Sequence, residues 1–71
     1  MFNYVVVRWS NLAPEPKRIF ETDNLDKAHE FILKEIDRLI TLKSDYNDTV
    51  HLGITGLFSG LVQCAEVDVH A

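Results

Sequence analysis

Seventy-one residues, 46% of them hydrophobic, make one domain spanning positions 1–71, because a chain this short has material for a single core. Folding at this size buries only about 60% of the surface that the unfolded chain exposes, which leaves little room for a deep cleft or buried cofactor and excludes a large enzyme. Seven Lys and Arg against eleven Asp and Glu give a net charge of −4, which disfavours nucleic acid or an anionic membrane as partner and favours a basic or neutral one.

Met1 to Trp9 carries Tyr4, Val5, Val6, Val7 and Trp9. A β-branched and aromatic run that is apolar on both faces predicts a strand inside a sheet. Ser10 to Pro16 reads as a loop, and because Pro14 and Pro16 cannot donate ladder hydrogen bonds, the second strand is expected at Lys17 to Thr22. The two strands should form a hairpin. Asp23 is the expected helix cap, with Asp26 three residues on favouring the positive end of the helix dipole. The helix should run to about Leu42. Leu25, Ala28, Ile32, Ile36, Leu39 and Ile40 fall within an arc of roughly 120° and are expected to face the core, with Glu30 and Lys34 pairing outside it. Phe31 and Leu42 lie roughly 100° from the centre of that stripe, where solvent is expected, so they predict a self-association or partner edge.

After the turn-rich stretch Ser44 to Asp48, Val50, Leu52 and Ile54 alternate with His51, Gly53 and Thr55, the period of a half-buried strand starting near Thr49. A two-residue turn at Ser59-Gly60 would set Phe58 against Leu61, Val50 against Val69, Leu52 against Val67, Ile54 against Ala65 and His51 against Asp68. The expected architecture is α+β: a β-β-α-β-β domain with an antiparallel sheet packed on one helix. One helix cannot cover both sheet faces. Trp9, Leu57, Val62, Phe31 and Leu42 are therefore candidates for an exposed apolar patch, which a homodimer or another partner would cover.

The residues that could carry chemistry are few. His51 facing Asp68 could be an acid-base dyad, but only Cys64 or Thr55 could serve as nucleophile and both lie two or more pairs away, so a cross-strand ion pair is the better reading. His29 has no second imidazole at i+4 and reads as a boundary residue, not a metal ligand. Gly53, Gly56 and Gly60 are followed by neither the lysine nor the helix that a phosphate loop requires. The sequence implies no enzyme, no cofactor and no metal. Cys64 is the single cysteine and reads as a small apolar residue; with no disulfide and no charged segment before the apolar N-terminal run, a cytoplasmic protein is expected. Asn47-Asp48-Thr49 then matches the glycosylation pattern only by chance.

Nine of the eleven carboxylates lie between Glu15 and Asp48, whereas Thr49 to Ala65 carries no Asp, Glu, Lys or Arg. Glu21, Asp23, Asp26, Glu30 and Asp37 run from the end of the second strand along one helix flank. Such a row is either a solvated face or a recognition surface that engages the Arg and Lys with which a nuclease holds RNA.

Tyr4-Val5-Val6-Val7-Arg8-Trp9, Asp23-Asn24-Leu25-Asp26 and Cys64-Ala65-Glu66-Val67-Asp68, in this order and at this chain length, resemble the small Dmd-type antitoxin proteins of T-even-like bacteriophages. The chain departs from that pattern in a longer stretch around Tyr46 to Gly60 and in Val69, where a second cysteine would continue the closing motif. The resemblance implies a phage protein that binds and blocks a host endoribonuclease toxin of the RnlA or LsoA kind in the host cytoplasm, keeping phage messages intact. It places partner contacts at Glu21, Asp23, Asp26 and Glu30, and the helix pattern adds Phe31. The alternative is an acidic interaction module or nucleic-acid mimic that inhibits another host defence protein.

Overall fold

A computed structural model describes residues 2–71 and contains, in chain order, β1 (Tyr4–Ser10), β2 (Lys17–Thr22), α1 (Leu25–Thr41), β3 (Asp48–Gly56) and β4 (Gly60–Val69). Met1, included in the expected first strand, lies outside the described residues. The sheet has the order β2-β1-β3-β4 with every neighbouring pair antiparallel, and α1 packs on one face of it. This is the α+β, β-β-α-β-β domain that the periodicities predict. β1 lies between β2 and β3, which is why it can be apolar on both sides: Val6 and Ser10 are buried beneath the helix, while Val5, Val7 and Trp9 alternate onto the open face, half-buried.

The core joins Val6, Val50, Leu52, Ile54, Val67 and Val69 of the sheet to Ala28, Ile32 and Leu39 of the helix. Fully burying a side chain such as Ile32, Leu52 or Ile54 stabilises the fold by roughly 1.5–3 kcal/mol each. A bulge in β2 between the partners of Val6 and Val7 turns both Ile19 and Phe20 toward this core.

Three expectations are corrected here. The helix cap is Asn24, whose Oδ1 accepts the N–H groups of Asp26 (2.8 Å) and Lys27 (3.3 Å). Asp23 is diverted from capping because its Oδ1 accepts the Asn3 N–H at 3.0 Å, tying the helix entry to the start of β1. The buried stripe of α1 is also rotated by about 40° from the expected one. Ile40 is exposed, and Phe31 is half-buried at the other margin, stacked on Phe20 with centroids 4.4 Å apart and planes 4° from parallel. The β2 bulge supplies the partner ring. Phe31 therefore has a core role and is not an exposed anchor, whereas Leu42 is exposed as expected.

The β3–β4 register is displaced by two residues. The turn is Leu57-Phe58-Ser59, closed by Gly60 at φ 70°, a left-handed conformation for which glycine carries no Cβ penalty. Val50 faces Val67, Leu52 faces Ala65, His51 faces Glu66, and Thr55 faces Leu61 after an irregularity at Ile54/Thr55. From Val50 to Ile54 the shift of two keeps each side chain on its expected face although every partner changes, whereas the irregularity at Ile54/Thr55 makes the shift odd and places Leu61, expected opposite Phe58 on the core side, beside Trp9 on the open face.

Candidate partner-binding surface

Of the acidic residues singled out from the sequence, the fold brings some together and separates others. Asp26 and Glu30 are exposed on α1 and share a flank with exposed Asp37. Asp26 also lies in the first helical turn, where a carboxylate is favoured by the dipole. Glu30 Oε1 lies 3.7 Å from Lys34 Nζ, with both side chains more than half exposed, a pair that contributes at most about 0.5 kcal/mol. Glu21 is exposed but faces Val5 across the ladder, so it belongs to the sheet surface opposite the helix. Asp23 is exposed in the turn between them and spends one oxygen on Asn3. The acidic surface thus has two parts: a helical row of Asp26, Glu30 and Asp37, and a separate carboxylate, Glu21, across the sheet.

Two side chains beside the helical row escaped the periodicity argument. Leu33 and Ile40 are 67% and 66% exposed. Ile40 belongs to the stripe that the periodicity predicts for the core and Leu33 to no predicted pattern; their separation of seven residues, two helical turns, is the signal that links them.

The open sheet face holds a second cluster. His51 stacks on Trp9 (centroids 5.3 Å, planes 8° apart), its Nδ1 is 3.5 Å from Glu66 Oε1, and its Nε2 is 3.3 Å from Asn11 Oδ1. The expected partner Asp68 instead accepts the Thr49 hydroxyl at 2.9 Å. Neighbouring carboxylate and amide oxygens thus flank both imidazole nitrogens while Trp9 covers one ring face. Cys64 faces Gly53 and is exposed, in contrast to the small apolar packing role expected of it. A Cβ at Gly53 would meet Leu61 Cδ1 at 3.2 Å and Trp9 Cζ3 at 3.5 Å, so the absence of a side chain lets those two groups close over β3.

Beyond the C-terminal end of α1, a groove of about 530 Å³ opens over Ile19, Leu39 and Val50, with Leu42 and Tyr46 in its wall. Arg8, Lys17 and Lys43 oppose Glu15, Asp45 and Asp48 around it. Several of these charges already have structural partners. Arg8 Nη1 lies 3.9 Å from Glu35 Oε1, and the same carboxylate bonds Arg38, raising the pKa of that guanidinium. Burial pushes the Asp48 carboxyl up, but the Ser10 hydroxyl and the N–H groups of Thr49, Leu12 and Asn11 outweigh it and hold its pKa below the usual range. The β1–β2 loop is tied to the start of β3 by the Asn11 N–H, which donates to the Thr49 carbonyl at 3.3 Å.

Among the described residues, no three His, Cys, Asp or Glu side chains converge as a cage for a metal ion, and no helix is long and apolar enough to cross a membrane. Comparison with known family patterns, curated proteins and solved structures finds no match to this chain.

Proposed function

We propose that the protein is a phage antitoxin of the Dmd type, acting in the host cytoplasm by binding a host endoribonuclease toxin of the RnlA or LsoA kind and blocking its access to phage messenger RNA. The observation that carries this reading is the exposed carboxylate row Asp26, Glu30 and Asp37 on the outer flank of α1. A nuclease holds the RNA backbone with Arg and Lys. Carboxylates one and then two helical turns apart on a rigid element attract the same groups, steer the encounter and compete for the groove. The likeness of the three sequence segments to that antitoxin family supports the same reading.

The test is co-expression of a toxin of this class with the wild-type protein and with Asp26→Lys/Glu30→Lys. Both side chains are exposed, so the fold should survive the reversals. Wild type is expected to restore growth and the reversal to lose at least about tenfold in affinity for the toxin, since reversing two rim charges turns attraction into repulsion and slows the encounter. Failure of the wild type to rescue removes the toxin as target; rescue by the reversal equal to wild type removes the acidic row as the contact.

A further inference from the structure

Helix α1 has two apolar surfaces, and the sheet covers only one. Ala28, Ile32 and Leu39 face the core. Roughly 100° around the axis, Leu33 and Ile40 stand two-thirds exposed, with half-buried Ile36 between them and half-buried His29 one turn before. Positions 29, 33, 36 and 40 have the alternating four- and three-residue spacing along which two helices interdigitate side by side. Isolated exposed leucines are ordinary, but here two apolar side chains one heptad apart adjoin the row Asp26, Glu30 and Asp37, which borders the seam on its outer flank.

We propose that this seam docks one basic amphipathic helix of another protein, with apolar side chains at heptad spacing and Lys or Arg along one flank. The proposal rests on the reading of the chain as an inhibitor that works by contact, and it specifies the face used and the chemistry of the segment bound. Charge selects the occupant. In a second copy paired antiparallel about a two-fold axis, the same flanks meet, so Asp26, Glu30 and Asp37 would lie against their own counterparts. In a parallel pair, the acidic row would point toward the partner copy's inner flank, which its own sheet occupies. A basic helix satisfies both halves of the surface: its aliphatic side chains cover Leu33, Ile36 and Ile40, and its cations meet the three carboxylates, competing with Lys34 for Glu30. From Asp26 to Ile40 the seam is roughly 21 Å long, so about four turns of partner helix span it.

The probe is a synthetic helix of about six turns with Leu at the a and d positions and Lys along the flanks, titrated into the isotope-labelled full chain while backbone amide resonances are followed. Shifts are expected to cluster between His29 and Ile40. The Leu33→Ser/Ile40→Ser variant should weaken binding at least about tenfold with an unchanged circular dichroism spectrum. Peptides with Glu flanks, or with the same composition and the Leu positions scrambled, should not bind. The proposal is overturned if the Lys-flanked peptide does not bind, if the scrambled peptide binds equally, or if the shifts fall on the open sheet face. A concentration-dependent dimer that the double variant abolishes would assign the seam to a second copy instead. Toxin rescue without peptide binding overturns the seam alone; peptide binding without rescue overturns the toxin reading alone.

Discussion

The stacked rings of Phe20 and Phe31 close the margin of the core beside β2. Truncating Phe31 removes half-buried apolar area and an aromatic pair, so Phe31→Ala should lower stability by about 2 kcal/mol, below the cost of a fully buried Phe. Urea unfolding measures it. An unchanged midpoint would mean that the ring contributes nothing and that α1 is turned as its sequence periodicity suggests. The identity of the neighbour was not legible in the sequence, because it depends on a bulge in β2 that no residue in Lys17 to Thr22 announces. Asp23 illustrates the same limit. Its type predicts a cap, yet Asn24 is also a good capping residue, and the long-range bond from the Asn3 N–H decides which of the two does so.

The strands were legible where composition restricts them. Pro14 and Pro16 delimit β2, and the alternation from Val50 to Ile54 places β3 with its buried side correct. Pairing was less so. Moving the β3–β4 register by two residues leaves the faces of Val50 to Ile54 and of their partners intact, so the hydrophobic pattern there cannot distinguish the two hairpins; the left-handed Gly60 at the end of a three-residue turn does. Single polar groups near the ends of elements also set the response to acid, and Asp48 is one of them. Its carboxyl titrates below the usual value in the folded state, so the unfolded chain binds more protons in acid. The stabilisation is therefore complete above the unfolded value near pH 3.9 and is lost as pH falls through the lower folded value. Asp48→Asn should remove this acid-limb component, flattening the fall in urea midpoint below about pH 4 relative to wild type. Parallel curves for the two proteins would show that the loop contacts at Ser10, Asn11 and Leu12 do not depend on the charge.

At the scale of the molecule, which measures 37 × 21 × 16 Å, one helix shields one face of a four-stranded sheet, and the helix carries a row of carboxylates beside an apolar pair whose exposure depends on the packing. The partner surface was only half legible for that reason: charge is visible in a sequence, whereas whether Leu33 and Ile40 are exposed depends on how α1 rolls over the sheet. Under the proposed function the two kinds of residue act at different stages. Carboxylates at the rim of a contact act over a screening length of about 10 Å at 0.1 M ionic strength and mainly accelerate the encounter, while buried apolar contact sets the lifetime. For the complex with the toxin, raising ionic strength from about 0.05 to 0.5 M should slow association by an order of magnitude or more and leave dissociation nearly unchanged. Asp26→Lys/Asp37→Lys should flatten that dependence. Leu33→Ser/Ile40→Ser should accelerate dissociation and preserve the salt slope. Stopped-flow mixing and surface-immobilised dissociation separate the two rates, and a salt effect confined to dissociation would assign the carboxylates to the buried contact instead of the approach.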